Sequence, residues 1–197
     1  MNGHWDLTRG GSSPATSAVV VAVIDTGVRF DHPDLRAAAA GGKLLPGYDF
    51  ISGPSRARDG NARGPNPRDE GDWSDGECGA TYDSFFHGLF VAGLIAANTN
   101  NGVGIAGLAG GVQILPVRTL GACGGTFEDV LEGMLWASGV PIAGVPPNTT
   151  PAKVINMSLG GGKYTSDAAC DADNAAVKAA IDNLRSVGIA SVISSGN

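Results

Sequence analysis

The run Val19-Val20-Val21-Ala22-Val23-Ile24, broken off by Asp25-Thr26-Gly27, limits the folds open to this chain more than any other feature. β-Branched residues in unbroken succession, with no polar alternation, fit a strand covered on both faces, as in the interior of a parallel sheet. Similar short runs recur at 113–118, 153–159 and 189–194, and helix-compatible stretches lie between them at 85–98, 126–138 and 171–187. Strands alternating with helices imply right-handed crossovers and helices on both sheet faces. The expected fold class is α/β, a three-layer α/β/α arrangement around a mainly parallel sheet.

Two stretches interrupt that alternation. Residues 52–81 turn to Gly, Pro, Asp, Asn and Arg with almost no aliphatic side chains, and 139–151 is rich in Pro and Gly. Both read as surface insertions in one domain rather than as linkers. No apolar run approaches the roughly 20 residues of a bilayer span, which argues against a membrane partner. A net charge of −6 without clustered Lys or Arg argues against nucleic acid. The start, Met1-Asn2-Gly3-His4-Trp5, shows no basic segment followed by an apolar core, so no signal peptide is visible. Cys78, Cys123 and Cys170 lie far apart without metal-ligand spacing, which leaves disulfides or buried thiols.

In an open parallel sheet, ligands collect beyond the carboxyl ends of the strands. Asp25 follows the first strand, Ser158 ends another, and Ser194-Ser195-Gly196-Asn197 follows the last; His87 opens the apolar stretch His87 to Ala97. Acyl transfer through a nucleophile needs a base, a buried acid that fixes the base's tautomer, and donors aimed at the developing oxyanion. Asp25 fits the acid, His87 the base and Asn197 the side-chain donor.

Taken with their neighbours, these residues resemble the subtilisin-like serine proteases over nearly the whole chain. Val23-Ile24-Asp25-Thr26-Gly27-Val28 with Asp31-His32-Pro33-Asp34-Leu35 resembles the segment around the catalytic Asp, and His87-Gly88 with Val91-Ala92-Gly93 that around the catalytic His. Asn156-Met157-Ser158-Leu159-Gly160-Gly161 resembles the strand lining the substrate cleft, and Ser194-Ser195-Gly196-Asn197 the stretch ending in the oxyanion-hole Asn. The resemblance implies a serine endopeptidase acting on polypeptides, secreted and monomeric, with no organic cofactor and with a pro-segment as a further partner. Members resembling this chain are extracellular proteobacterial ones. Gly124, Gly125 and the Ser158, Leu159, Gly160 edge are implied as cleft walls that pair with an extended substrate; a simple turn at Gly124-Gly125 is the competing reading.

The loop from Asn98 to Ile105 resembles the family's calcium loop. It implies a structural calcium held by Asp34, by Asn100 or Asn101 through a side-chain oxygen, and by carbonyls of Asn98, Val103 and Ile105. A polar turn is the alternative. The acids Asp69, Glu70, Asp72, Asp75 and Glu77 read as a solvated loop, with a second ion site as the rival. The resemblance also implies a Cys78–Cys123 disulfide, leaving Cys170 for a partner beyond residue 197.

Two departures stand out. Leu89 and Phe90 occupy positions where the family has Thr and His. The family's nucleophile lies in a Gly-Thr-Ser-Met-Ala-like turn well beyond the oxyanion Asn, and no serine of this chain has that context, so residues 1–197 are expected to be a partial peptidase domain with acid and base but no nucleophile. A catalytically inactive, peptide-binding pseudoprotease is therefore the alternative function. An aspartic protease would need a second Asp-Thr-Gly-type carboxylate, and a dinucleotide-binding domain would need Gly-x-Gly-x-x-Gly after the first strand; the chain supplies neither.

Overall fold

The structure, a computed structural model, describes residues 18–196. Its first strand, β1 (Val19–Asp25), is followed by a single 3-10 turn at Ala38–Ala40, then β2 (Tyr48–Asp49), α1 (Pro54–Ala57), β3 (Ser74–Asp75) and β4 (Thr81–Tyr82). Next come α2 (His87–Ala96), β5 (Val112–Arg118), α3 (Phe127–Ala137), β6 (Val154–Met157), α4 (Asp167–Asp173), α5 (Ala175–Ser186) and β7 (Ala190–Ile193). The main sheet has the order β2-β5-β1-β6-β7, with every pairing in it parallel. The α/β layering expected from the runs is therefore present.

β1 lies at the middle of that sheet, in register with β5 from Val19 opposite Val112 to Asp25 opposite Arg118. Its side chains divide by parity, as a pleated strand demands. Val21 and Val23 join Val91, Ala92 and Ala96 of α2 in one buried cluster, while Ala22 and Ile24 join Met134, Trp136 and Leu184 in the other. Complete burial of side chains such as Ile24, Leu115 and Met134 stabilises by roughly 1.5–3 kcal/mol each. Both core layers thus converge on the strand that ends at Asp25.

Three details differ from the sequence reading. The helix expected over 171–187 is two helices: α4 starts earlier, where the Ser166 hydroxyl accepts from Ala169 N–H at 3.2 Å, and the chain leaves helical geometry at Asn174, φ −109° and ψ 21°, whose side-chain amide donates to the Cys170 carbonyl at 2.9 Å beside its own backbone N–H at 3.0 Å. The strand expected over 153–159 is shorter, so Ser158, Leu159 and Gly160 lie just past its carboxyl end. The stretch 52–81 is not a bare surface loop. It carries α1, and β3 pairs antiparallel with β4. Arg63 reaches from it to the buried Asp129 of α3 at 2.9 Å, and Val28 N–H donates to Pro67 O at 3.1 Å. Polar anchors of this kind leave no trace in a hydropathy pattern.

The 139–151 stretch has no helix or strand and folds back on the end of α3. Trp136 Nε1 donates to Pro146 O at 2.7 Å, and Asn148 Nδ2 donates to the carbonyls of Trp136 and Ala137 at 3.1 Å each. Among the described residues, no helix is long and apolar enough to cross a membrane.

Candidate active site

Asp25 sits at the carboxyl end of β1, fully buried. Its Oδ1 accepts from Thr26 N–H at 2.8 Å, and its main-chain oxygen accepts from Thr119 N–H at 2.9 Å. The chain must then turn sharply, and Gly27 does so at φ 99°, a conformation that disfavours side chains. There a Cβ would also fall 2.4 Å from Pro67 O.

His87 opens α2, and its Nδ1 stands 2.9 and 3.0 Å from the two carboxylate oxygens of Asp25. The carboxylate can only accept, so Nδ1 carries the proton and Nε2 is left free to accept one. The His87 side chain is 44% exposed against 0% for Asp25. Burial pushes the Asp25 carboxyl above its ordinary range; the His87 hydrogen bond is the largest opposing effect, followed by the Thr26 N–H bond. Chemically, the pair is a buried acid that holds a solvent-facing base in one tautomer.

α2 meets β1 at close range because Gly88 has no side chain: a Cβ there would lie 2.4 Å from Gly27 O and 3.1 Å from Asp25 Cβ. Helix starts leave unpaired N–H groups, and Phe86, at the N-cap with φ 49°, offers no capping side chain. The Thr26 hydroxyl does so instead, accepting from Gly88 N–H at 2.9 Å and donating to Asp69 Oδ2 at 2.5 Å. Asp69 is buried, its Oδ1 accepts from Gly71 N–H at 2.9 Å, and burial pushes its carboxyl up as well.

The residues of the expected acidic loop thus do not form a cluster. Asp69 faces inward, Glu70 pairs with Arg68 at 3.4 Å, Asp72 accepts from Phe85 N–H at 2.8 Å, and Glu77 pairs with Arg58. Among the described residues, no group of three or more His, Cys, Asp or Glu side chains is placed to share an ion.

The structure brings Asp25 and His87 together; Asn197 lies outside the described residues. Gly124, at φ 88°, closes a tight turn in which its N–H and carbonyl exchange 3.0 Å hydrogen bonds with Gly121. Its main chain is thereby engaged, while Gly125 and Gly160 are exposed. Ser158 Oγ accepts from Asn156 Nδ2 at 3.0 Å, and the Leu159 carbonyl accepts from Ser194 Oγ at 2.7 Å, which fixes the segment past β6.

Around the 98–105 loop, the buried Asp34 accepts from Asn101 Nδ2 at 2.7 Å and from Ile105 N–H at 2.9 Å, and Val103 N–H donates to Asn101 Oδ1 at 3.1 Å. Asn100 sits at φ 60°, and Asn98 Nδ2 is buried without a partner. A carboxylate, side-chain amides and loop carbonyls are the hard oxygen donors calcium takes. The orphaned amide nitrogen of Asn98 is the group that reversing the amide would replace by an oxygen.

Of the pair that departs from the family's pattern beside His87, Leu89 is half-buried against the core layer under α2, whereas Phe90 is 62% exposed. Cys78 and Cys123 form a disulfide that ties the 52–81 stretch to the turn after β5, and Cys170 is free.

Thr26, Asp69 and Arg118 are bonded neighbours of the Asp25–His87 pair that the sequence patterns did not single out. Thr26 had a signal, a hydroxyl directly after the candidate acid; so did Arg118, a lone cation closing an apolar run. Asp69 had none among its acidic neighbours.

Comparison with known proteins concerns the chain as a whole. The sequence model of the subtilase family matches residues 16–197. An extracellular basic protease of Dichelobacter nodosus is 49% identical over 187 residues, covering 91% of this chain and 29% of that protein. An extracellular protease of Xanthomonas campestris pv. campestris is 49% identical over 177 residues, covering 88% of this chain and 28% of that protein. Among solved structures, a protease of Pseudoalteromonas arctica superposes with a TM-score of 0.81 at 45% identity, covering 98% of this chain and 52% of that one. With a parallel-sheet α/β fold and an aspartate-held histidine at its carboxyl edge, the chain belongs to the subtilase family, the subtilisin-like serine proteases. It spans under a third of the first two relatives and about half of the solved chain.

Proposed function

We propose that this chain is the acid–base part of a secreted serine endopeptidase that cleaves polypeptides through an Asp25, His87 and Ser triad, the serine being supplied by sequence outside residues 1–197. One observation carries the reading: Nδ1 of a solvent-facing His87 is held between both oxygens of the fully buried Asp25. In such a pair the base takes the serine proton through Nε2 and returns it to the leaving amine, while the carboxylate fixes the tautomer and offsets the imidazolium charge. Asn197 would donate its side-chain N–H to the oxyanion.

An extended peptide would lie between Gly125 and the Ser158 to Gly160 stretch, held by main-chain hydrogen bonds, with Gly124 shaping the turn beside it. Secretion is supported by the names of the two relatives and by the disulfide. Asp34, Asn98, Asn101, Val103 and Ile105 would hold a calcium ion. Bound there, calcium supplies charge neutralisation and rigidity to a loop leading out of α2. Asp34 anchors the loop through its bonds to Asn101 and Ile105.

The test uses the full-length protein: cleavage of a peptide substrate together with labelling by a serine-directed phosphonate. Both activities should be present and both should disappear in His87→Ala. A full-length protein that binds peptide but neither cleaves nor labels would establish the pseudoprotease reading, which the Leu89 and Phe90 substitutions favour.

A further inference from the structure

The N-terminus of α2 carries His87, and nothing in α2's own sequence caps it. Phe86 occupies the N-cap in a left-handed conformation, φ 49°, without a side-chain hydrogen bond. A hydroxyl from outside α2 caps it instead: Thr26, just past β1, accepts the Gly88 N–H at 2.9 Å. A threonine hydroxyl can rotate and either donate or accept in several directions. Here it has one arrangement, because Asp69 Oδ2 stands 2.5 Å away and accepts the hydroxyl's hydrogen bond. That leaves an oxygen lone pair for Gly88 N–H. Asp69 is itself fixed by Gly71 N–H on its other oxygen and by its own N–H donating to Val28 O at 2.9 Å.

We propose that Asp69 is a positioning residue of the His87–Asp25 pair, acting through Thr26 to hold the first turn of α2, and therefore the His87 ring, against Asp25. The inference rests on the acid–base reading of that pair. It also gives the 52–81 stretch a role, since Asp69 is where a side chain of this stretch bonds to Thr26, next to Asp25. A carboxylate beside a helix N-terminus is in addition favourably placed in the helix dipole.

The experiment compares four single variants and one double variant of the full-length protein by steady-state kinetics and by the proton NMR signal of His87 Nδ1–H. Asp69→Ala and Thr26→Val each remove the relay; Asp69→Asn and Thr26→Ser keep an acceptor and a hydroxyl. The first two should lower kcat by about 10- to 100-fold with KM within about twofold, as losses of orienting partners do. Their combination should be no worse than either alone, since both break one connection. The conservative pair should recover to within about threefold of the parent. Should Asp69→Ala fail to fold, Thr26→Val against Thr26→Ser decides on the same readouts.

A parent-like kcat and unchanged Nδ1–H signal in the removing variants, or losses that add, would overturn the proposal. Failure of the acid–base reading would look different: His87→Ala would retain the parent's activity. The Nδ1–H signal, which needs no turnover, would still decide on Asp69.

Discussion

The completely buried guanidinium of Arg118 donates through Nε to the carbonyl oxygen of Thr26 at 3.2 Å, directly beneath the turn that follows Asp25. Its other nitrogens donate to Asp49 Oδ2 and to Ala57 O, each at 2.6 Å. One side chain thus joins the end of β1 to β2 and α1. Replacing it with Met leaves Asp49 buried without its counter-charge, a loss of about 3–5 kcal/mol. Denaturant unfolding of Arg118→Met should show a midpoint shift of that size; an unfolding free energy within about 1 kcal/mol of the parent would contradict the assignment.

Stability should fall as pH rises through the mildly acidic range. Burial pushes Asp49 up to about 6 from 3.8, and raises Asp25 and Asp69 too. A carboxyl that holds its proton more tightly when folded contributes stability that is full below the unfolded value and lost as pH rises through the folded one. For Asp49 the contribution is about 3 kcal/mol at most. Unfolding free energies measured between pH 4 and 7 should decline, and less steeply in Asp49→Asn. Parallel curves would exclude Asp49 as a source.

Gly88→Ala tests the close approach of α2 to β1. The added methyl meets Gly27 O at 2.4 Å and Gly27 N at 3.0 Å, backbone atoms that cannot swing aside. Overpacking of this kind costs typically about 1–3 kcal/mol. The variant should melt several degrees lower, and the His87 Nδ1–H signal should shift as the helix start moves off Asp25. Gly124→Ala, where nothing lies within 4 Å of the added atom, differs in having only its φ of 88° to resist the change.

Reduction of Cys78–Cys123 should destabilise the chain without altering its sheet. The bridge closes a loop of 45 residues in sequence separation, for which the chain-entropy account gives about 4 kcal/mol. Thermal unfolding with and without a thiol reductant checks this. A cysteine-to-serine double variant should match the reduced parent and be insensitive to the reagent.

Calcium should raise the melting temperature. An ion that binds only the folded chain stabilises it by about 2.7 kcal/mol at a hundredfold excess over its Kd. Calorimetry in millimolar calcium and in chelator should differ by several degrees for the parent and not at all for Asp34→Ala. Identical melting in the two buffers would assign the 98–105 loop as a turn held by Asp34 alone.

The layers and the Asp25–His87 pairing were legible because they rest on patterns that sequence carries directly. Uninterrupted β-branched runs gave the strands, and Asp25 and His87 each stand beside an apolar element where a polar residue is conspicuous. What was missed depends on partners distant in sequence. Nothing near Asp69 distinguishes it from Glu70 or Asp72; only the fold carries it 43 positions back to Thr26. The break at Asn174 was hidden for a different reason, since it is a change of backbone angles at one residue between helix-forming neighbours on both sides.

The cross-bracing of residues 52–81 bears on survival among proteases. A peptidase engages its substrate as an extended strand, so cutting this stretch would require several residues to pull free at once. Arg63 on Asp129, Asp69 on Thr26 and the disulfide at Cys78 hold it at separate points along its length. A single nick between any two of them would leave both cut ends still attached to the body. A polar, glycine-rich loop that looks like the chain's most digestible part is thus tied to the body on both sides of most of its bonds.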